Sequence, residues 1–453
     1  MSINDRENKA ETIEEIEGRD TFNSKVGFIL ACIGSAVGMG NIWMFPYRVG
    51  QFGGAAFLLP YFFFIIVIGF TGVIGEMSFG RSMRTGPLGA FRKAFELRSN
   101  KNGGLLGLIP VAGSLALATG YAVVVGWILR FTVGSIAGAV TSNAMDSGSY
   151  FGQIAGPYGS IFWHLAGLVI TFGVMLFGIS NGIEKANKIM MPAFFFLFLI
   201  LAVRVVMLPG AIDGYKYLFI PKWEFLGSPK TWVYALGQAF FSLSLAGSGT
   251  IVYGSYLKKS EDVVGCAKHV AFFDTCAAML AALVIIPSVF AYNLDPAAGP
   301  PLMFITMPSV FKGMPMGQLF SIVFFLAVLF AGVSSLMNLF ETPIEALQER
   351  FNLSRKLSIA IVAVVAVGIG VFLEGGNMLG LWMDIVSIYV IPLGALLAGI
   401  VFFWVCGSEF AREQAQLGRK EKIGPWFEPM TKYVFCGLTV IVYILGIFYG
   451  GIG

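Results

Sequence analysis

The sequence predicts an all-α polytopic membrane protein with eleven transmembrane helices. Only 12% of its 453 residues are charged and 57% are hydrophobic, whereas soluble globular proteins carry about 25% charged residues. Apolar runs recur along the whole chain, and a run of roughly 20 residues crosses a hydrocarbon core about 30 Å thick. We therefore expect one helical body embedded in a lipid bilayer.

Short polar segments divide the apolar runs into eleven predicted spans, numbered here in chain order. Spans 1 to 11 cover residues 24–49, 55–80, 105–135, 160–180, 186–208, 230–257, 264–293, 317–347, 357–373, 378–406 and 431–450. Residues 1–23 are charged and lack the apolar core of a cleaved signal peptide. We expect them to form a solvated cytoplasmic tail.

Lys and Arg are distributed unequally between the two sides of the membrane. If the N-terminus is cytoplasmic, 23 of the 30 Lys and Arg residues lie on cytoplasmic segments. The exceptions are Arg48, Arg130, Arg204, Lys216, Lys222, Lys230 and Lys312. Because cytoplasmic loops are enriched in Lys and Arg, the sequence predicts a cytoplasmic N-terminus and, with an odd number of spans, an extracellular C-terminus.

Composition argues against several other classes of protein. The five cysteines form no CxxC motif, and the two histidines are far apart in sequence, so neither a disulfide framework nor a metal cluster is expected. The sequence contains no HExxH motif and no convincing Ser–His pair, which argues against an intramembrane enzyme. The net charge of +4 gives no indication of a nucleic-acid partner.

Spans 1 and 6 are each interrupted by a glycine-rich segment. These segments are GSAVGMGN at residues 34–41 and SLSLAGSGT at residues 242–250. The two spans enter the membrane from opposite sides, a pattern typical of transporters built from two inverted repeats. We expect a first repeat over residues 24–208, a second over residues 209–406, and a cytoplasmic loop with span 11 over residues 407–453.

Unwound helix at this depth has a defined chemistry. Half-helix N-termini present free N–H groups that suit a carboxylate, and freed carbonyl oxygens suit a hard cation. The nearby polar side chains are Ser35, Asn41, Ser242, Ser244, Asp274, Ser334 and Ser335. Helix packing through Gly34 and Gly38 is the alternative explanation of the glycines, and pairing with Lys268, about two turns away, is the alternative for Asp274.

Six sequence blocks carry a resemblance to a known family. They are GSAVGMGNIWMFPY, GGAAFLLPY, GEMSFGR, GIEKANKIMMP, QAFFSLSLAGSGTIVYGSY and AGVSSLMNLFE. In this order they resemble blocks of the neurotransmitter:sodium symporter family, and most closely its bacterial amino-acid branch. The resemblance implies Na⁺-coupled uptake by alternating access across a bacterial plasma membrane, with two Na⁺ ions bound beside the substrate.

The resemblance also implies the ligands of both ions and of the substrate. The first Na⁺ is expected at oxygen atoms of Ala36, Asn41, Ser242 and Asp274. The second is expected at the carbonyls of Gly34, Val37 and Ala331 and the hydroxyls of Ser334 and Ser335. The substrate is expected to contact Gly38, Met39, Gly40, Leu117, Tyr121, Phe241, Ser242, Ser244, Gly247 and Leu339, with Phe241 and Tyr121 as the outer lid.

Departures from the family pattern indicate the substrate and the ions. Monoamine carriers place an aspartate at the position that Gly38 occupies here. Because this chain lacks that aspartate side chain, room is left for a substrate carboxylate. Gly247 replaces a bulky aromatic residue, so aromatic and aliphatic side chains are both expected to fit. The implied substrates are tryptophan, leucine, phenylalanine, tyrosine, isoleucine, valine and methionine. Asp274 replaces a common asparagine, so its carboxylate is expected to make bound chloride unnecessary.

The resemblance also implies gates and a hinge. The outer-gate arginine of the family is replaced by Met44, and the expected substitute is an Arg48–Asp384 pair. The expected inner gate consists of Arg19, Phe22, Tyr256 and Glu349. Gly182 and Pro192 are expected to let the inner half of span 5 unwind, since proline removes a backbone donor.

Two alternative functions remain at the level of sequence. A channel is less expected, because channels usually build their filter from several subunits or symmetric rings, whereas this chain carries its own inverted repeat. A Na⁺-dependent amino-acid sensor on the same scaffold stays open, because binding residues alone do not establish transport.

Overall fold

The computed structural model describes residues 21–98, 103–297 and 302–451, and the regular elements in these ranges are all helices. Eight of them are long and apolar enough to cross a membrane. They are Ala55–Met83, Gly103–Ile136, Ile179–Val206, Val263–Ala291, Gly317–Phe351, Arg355–Leu373, Gly376–Val405 and Phe427–Tyr449. These helices correspond to predicted spans 2, 3, 5, 7, 8, 9, 10 and 11, and confirm the all-helical membrane fold.

The three remaining predicted spans are present in a different form. Span 1 consists of Lys25–Ala36 and Gly40–Gln51, which meet at an angle of 52°. Span 6 consists of the half-helices Pro229–Ser242 and Gly249–Ser255, and span 4 is the 15-residue helix Ile161–Met175. By length and composition nine segments qualify as spans within the described ranges, so the full count of eleven stays a prediction.

Shorter helices connect the spans on both sides. They are Pro87–Glu96, Ser147–Ala155, Ala211–Phe219, Trp223–Leu226, Leu302–Gly313 and Ser408–Gln416.

The predicted boundary between spans 4 and 5 was wrong. Span 5 begins at Ile179 rather than at residue 186, and its first turn, Ile179–Glu184, is π-helical and contains Gly182. The polar residues at this end had indicated a loop. They lie within the helix instead, and Glu184 among them is buried: its carboxylate accepts hydrogen bonds from the Asn23 N–H (2.7 Å) and the Ser24 hydroxyl (2.9 Å). The proposed hinge is therefore wound into helix in this structure, and Pro192 lies within it.

Helix ends carry the capping residues that the backbone requires. The side chains of Ser24 and Asp262 accept hydrogen bonds from the first turns of the helices that follow them, each at 3.0 Å. Ser354 caps the helix of span 9 in the same way. Spans 2 and 8 end at Arg84 and Asn352, which adopt left-handed backbone conformations with φ of 55° and 52°. These caps satisfy backbone groups that a helix leaves unpaired.

Spans 3 and 8 form the centre of the helical body. Polar side chains join the two helices at intervals: the Ser114 hydroxyl donates to the Leu339 carbonyl (2.8 Å), and the hydroxyls of Ser135 and Ser321 share a hydrogen bond of 2.7 Å. The most apolar windows of spans 3 and 8 are 67% and 61% buried, whereas those of spans 5, 9 and 11 are 33% buried. The latter three spans therefore present most of their surface to lipid.

Span 2 and the second half of span 6 pack backbone against backbone. A methyl group added to Gly80 would lie 1.9 Å from the Ile251 carbonyl oxygen, and one added to Gly254 would lie 2.5 Å from the Met77 carbonyl oxygen. Small residues permit such close approach between helices in membranes. This contact fixes the half-helix Gly249–Ser255, which has only seven residues.

We expect Gly80→Ala to lower the thermal stability of the protein in detergent. Overpacking of a close interface costs about 1–3 kcal/mol, which exceeds the gain of about 1 kcal/mol from better helix propensity. The matched control is Gly173→Ala, because no atom outside its own helix backbone lies within 4 Å of the added methyl group. Equal melting temperatures for the two variants, measured by fluorescence-detected thermal unfolding, would contradict the proposed contact.

Candidate functional site

The two helix interruptions lie against each other inside the protein. The first half of span 1 ends at Ala36, and Val37 adopts an extended conformation with φ −72° and ψ 106°. The two halves of span 6 are joined by residues 243–248, in which Ser244 has φ 54°. The Ser244 hydroxyl donates a hydrogen bond of 3.0 Å to the Ser35 carbonyl. The unwound segments therefore supply partners for each other's exposed backbone groups.

A cluster of oxygen-bearing side chains joins spans 1, 6 and 7 beside these interruptions. The Asn41 side-chain nitrogen donates to Asp274 Oδ1 (2.7 Å), the Asp274 carbonyl (3.1 Å) and the Ser242 hydroxyl (3.1 Å). The Ser242 hydroxyl donates to Asp274 Oδ2 at 2.6 Å. The Asn41 side-chain oxygen accepts from the Gly38 N–H at 3.0 Å. The structure thus brings together three of the residues predicted for the first ion, and Ala36 lines the adjacent cavity.

The Asp274 carboxylate has no basic partner among the described residues. Asn41, Ser242 and Asp274 are each fully buried, and in the described part of the chain the side chains hydrogen-bonded to the carboxylate are the neutral Asn41 and Ser242. The alternative partner Lys268 instead places its ammonium group 5.5 Å from the centre of the Phe70 ring. Burial of an uncompensated charge is costly, so this arrangement favours a bound cation.

The residues predicted for the second ion also lie close together. The Ser335 hydroxyl lies 3.2, 3.3 and 3.0 Å from the carbonyl oxygens of Gly34, Ser35 and Val37. On the same turn of span 8, the Ser334 hydroxyl donates to the Ala331 carbonyl at 2.9 Å. All five predicted ligands therefore belong to one region between spans 1 and 8. Oxygen donors of this type suit a hard monovalent or divalent cation.

Asn187 is a polar residue of this region that the sequence reasoning missed. Its side chain is fully buried in span 5, and its nitrogen donates to the Ile183 carbonyl at 2.9 Å. Its oxygen has no hydrogen-bond partner within the described chain and would lie 2.0 Å from a methyl group added to Gly34. The signal is an unpaired amide oxygen next to a predicted ion ligand. That signal becomes visible only in the structure, because the sequence alone does not place Asn187 beside Gly34.

A cavity of about 60 Å³ lies beside the two clusters. Eight of the ten predicted substrate-binding residues line it. They are Gly38, Met39, Gly40, Leu117, Tyr121, Phe241, Ser244 and Leu339. Lining residues that were not predicted include Ala246, Ser248, Asn338 and Ile391.

Gly247 does not line the cavity, although the sequence analysis placed it in the substrate pocket. Its backbone has φ 66°, and a methyl group added to it would lie 2.3 Å from the Gly394 carbonyl oxygen of span 10. Its N–H donates to the Glu76 carboxylate at 2.8 Å. A left-handed turn and a close approach to span 10 therefore explain this glycine, and the inference of a larger pocket loses its support.

The polar end of the cavity is formed by span 1 and span 3. The Met39 N–H donates to the Tyr121 hydroxyl oxygen at 2.9 Å. A methyl group added to Gly38 would lie 2.5 Å from the Ser335 hydroxyl and 2.7 Å from the Tyr121 hydroxyl. A side chain at position 38 would therefore displace these two hydroxyl groups.

The predicted outer-gate pair is not formed in this structure. The Arg48 guanidinium lies 4.7 Å from the centre of the Tyr47 ring and 4.2 Å from that of Tyr234, and it donates to the Gln51 side chain at 3.0 Å. Asp384 is exposed on span 10, and the described residues show no ion pair between it and Arg48. Stacking between aromatic rings keeps the guanidinium in place instead.

The predicted inner gate is assembled in part. Phe22 makes edge-on contacts with Tyr253 and Tyr256, with ring centres 5.6 and 6.3 Å apart. The carboxylate of Glu349 pairs with Arg92 in the short helix Pro87–Glu96 that follows span 2. Arg19, its predicted partner, lies outside the described residues.

A second inner ion pair was not predicted from the sequence. The Tyr256 hydroxyl donates to the carboxylate of Glu341 at 2.8 Å. Arg355 donates two hydrogen bonds to the same carboxylate, both at 2.8 Å, and a third to the Met175 carbonyl at 3.0 Å. An acidic residue within predicted span 8 was an available signal. These hydrogen bonds thereby connect spans 4, 6, 8 and 9 on the inner side.

Comparisons with known proteins agree with this arrangement. A profile described as the sodium:neurotransmitter symporter family matches residues 19–147 and 151–449. Among solved structures, MhsT in complex with L-phenylalanine superposes with a TM-score of 0.85 and 34% sequence identity, over 94% of this chain and 99% of that chain.

Sequence relatives are sodium-dependent transporters. An uncharacterized transporter of Methanocaldococcus jannaschii, MJ1319, is 32% identical over 94% of this chain and 90% of its own. YhdH of Bacillus subtilis, also uncharacterized, is 36% identical over 70% of each chain. The neutral amino acid transporter B(0)AT2 of Rattus norvegicus is 30% identical over 62% of this chain and 42% of its own.

We expect Arg355→Gln to destabilise the protein strongly. Glu341 is fully buried and Arg355 is 14% exposed, and removal of one partner of a buried pair costs about 3–5 kcal/mol. The double variant Glu341→Gln/Arg355→Gln should recover part of the loss in thermal unfolding. The control is Arg412→Gln, whose pair with Glu428 is about one-third exposed and contributes about 0–1 kcal/mol. Similar losses in the two arginine variants would count against the buried pair.

Proposed function

The chain belongs to the sodium:neurotransmitter symporter family of multi-pass membrane transporters, and on that premise we propose that it couples Na⁺ entry to the uptake of neutral hydrophobic L-amino acids. The observation that carries this proposal is the buried carboxylate of Asp274, which faces Asn41 and Ser242 beside a cavity and has no basic partner among the described residues. In this proposal a cation supplies the counter-charge that Asp274 lacks, and the amino acid that is transported with the cation binds in the cavity.

We assign the first Na⁺ to oxygen atoms of Ala36, Asn41, Ser242 and Asp274, together with the carboxylate of the substrate. The second Na⁺ is assigned to Gly34, Val37, Ala331, Ser334 and Ser335. The support for both assignments is the convergence of these groups between spans 1, 6, 7 and 8. Each site needs no chloride in this proposal, because Asp274 itself supplies one negative charge.

The substrate assignment follows from the two ends of the cavity. The Met39 and Gly40 N–H groups and the Tyr121 hydroxyl form the polar end, which suits an α-carboxylate. Apolar side chains such as Leu117, Phe241 and Ile391 line much of the remainder, which favours a neutral hydrophobic side chain. The L-phenylalanine bound to MhsT and the name of B(0)AT2 support the same substrate class.

Alternating access in this proposal uses the groups already described. Span 5 is the inner hinge, with Gly182 and Pro192 as the positions at which it unwinds. Unwinding would carry Asn187 away from Gly34 and admit water to the second ion site. The proposed setting is a bacterial plasma membrane with the N-terminus on the cytoplasmic side, as the distribution of Lys and Arg indicates.

The first test is uptake of labelled phenylalanine, tryptophan and leucine into proteoliposomes. We expect accumulation driven by an inward Na⁺ gradient, no accumulation when K⁺ replaces Na⁺, and equal rates in chloride and gluconate buffers. Na⁺-dependent binding without accumulation would instead identify a sensor on the same scaffold. Uptake at the same rate with and without Na⁺ would overturn the assignment of the two ion sites.

A second test concerns Asp274. We expect Asp274→Asn to weaken the apparent Na⁺ affinity by about tenfold or more, because the affinity of an oxygen site for a hard cation follows the charge of its ligands. The same variant should gain stimulation by chloride. Asp213→Asn removes a carboxylate that is 64% exposed and should behave like the unmodified protein. An unchanged Na⁺ dependence in Asp274→Asn would refute the assignment of the first ion.

A further inference from the structure

A large groove on the described part of the protein does not belong to the substrate site. It is a groove of about 650 Å³ between residues 62–70 of span 2 and residues 267–279 of span 7. This volume lies within the range of about 300–1,000 Å³ that is typical of ligand pockets. Except for Lys268 at one end, the groove presents apolar side chains and a few small polar ones.

The groove faces the lipid rather than the interior of the protein. Ile66 on one wall is 59% exposed and Phe272 on the other is 62% exposed. At the floor the helices approach closely, since a methyl group added to Gly69 would lie 3.3 Å from the Ala271 side chain. Small residues at the floor and large apolar residues at the rims produce a furrow open along its length.

The length of the groove matches one leaflet of a bilayer. Its lining residues extend from Phe62 to Phe70 in span 2 and from Ala267 to Met279 in span 7, which at a rise of 1.5 Å per residue gives walls of about 12 and 18 Å. Half of a hydrocarbon core is about 15 Å thick. An acyl chain that enters from the bilayer therefore fits the groove along its axis.

The end near Lys268 has the chemistry of a lipid headgroup site. The Lys268 ammonium lies over the Phe70 ring, and the Trp426 ring contacts the edge of Phe70 with ring centres 6.4 Å apart. Lys268 and Trp426 are both exposed. Within the described residues, Lys268 forms no ion pair and the Trp426 indole N–H makes no hydrogen bond. A cation and a free N–H donor at the membrane interface suit a phosphate group.

We propose that this groove binds one anionic glycerophospholipid, with an acyl chain between spans 2 and 7 and its phosphate at Lys268 and Trp426. The lipid belongs to the leaflet on the side of the chain's N-terminus, which is the cytoplasmic leaflet in the predicted orientation. A free phosphate would lack the apolar contacts, and a zwitterionic lipid would place a second cation beside Lys268. The groove is distinct from the ion and substrate sites, and the proposal does not depend on transport.

The position of the groove gives the lipid a route to the ion site. Thr275 and Cys276 line the groove and follow Asp274 directly in span 7. The acyl chain therefore packs against the turn of helix whose other face carries the Asp274 carboxylate. A lipid in the groove restricts movement of this turn, because closely packed groups have little free space into which to move.

The test is native mass spectrometry of the full-length protein after addition of dioleoylphosphatidylglycerol or dioleoylphosphatidylcholine in detergent. We expect one phosphatidylglycerol molecule to be retained per chain in preference to phosphatidylcholine. Lys268→Gln should reduce its retention about fivefold, the effect expected for one basic residue near an anionic lipid. Ala271→Phe, which fills the floor of the groove, should reduce retention of both lipids. Lys259→Gln removes an exposed loop lysine and should have no effect.

Equal retention of phosphatidylglycerol by the unmodified protein and by Lys268→Gln would overturn the headgroup assignment. Unchanged retention in Ala271→Phe would overturn the position of the acyl chain. Each variant is first compared with the unmodified protein in thermal unfolding, so that a loss of lipid is assigned to the groove only in folded protein. Because lipid retention is measured without substrate or a Na⁺ gradient, failure of this proposal is distinguishable from failure of the transport proposal.

Discussion

The structure depends on one constraint: a helix that is broken within hydrocarbon must find partners for its freed backbone groups inside the protein. Spans 1 and 6 meet this constraint together. Gln238 and Ser244 of span 6 donate hydrogen bonds to the Gly40 and Ser35 carbonyls of span 1. The Ser335 hydroxyl of span 8 contacts the same Ser35 carbonyl and two more. The oxygen-rich clusters described here are thus a consequence of how the interruptions are stabilised, and cation binding uses the same groups.

The buried acids of the chain show which of them is available to a cation. Glu341 is neutralised by a bidentate contact with Arg355, and Glu374 hydrogen-bonds to His164 at 2.9 Å. Asp274 has only neutral donors around it in the described residues. A carboxylate with a fixed basic partner has no use for a second cation, whereas Asp274 requires one for its charge to be stable at this depth. Glu76 is also buried and accepts a hydrogen bond from the neutral Gly247 N–H. The missing basic partner therefore identifies the site only together with the oxygen-bearing side chains of Asn41 and Ser242 around Asp274.

Sequence reasoning recovered what is encoded locally. Apolar length placed the helices, and the two glycine-rich segments marked the breaks at residues 37–39 and 243–248. The family resemblance then predicted that Asn41, Ser242 and Asp274 lie at one ion site. Contacts whose partners come from separate helices were missed, including Asn187 against Gly34. A glycine in a sequence does not show which neighbouring group requires the small residue. For this reason Gly247 was predicted to line the pocket, whereas it packs against span 10.

The two closures of the cavity differ in their physical nature. On the inner side, Glu341 is held by Arg355 within the protein, and Glu349 pairs with Arg92 closer to water. On the outer side, Trp43 contacts Phe304 of the Leu302–Gly313 helix with ring centres 6.0 Å apart, and Arg48 is stacked between aromatic rings. Salt screens exposed ion pairs and leaves aromatic packing largely unaffected. The described contacts on the inner side are therefore ion pairs, whereas those on the outer side are aromatic packing around Trp43 and Arg48.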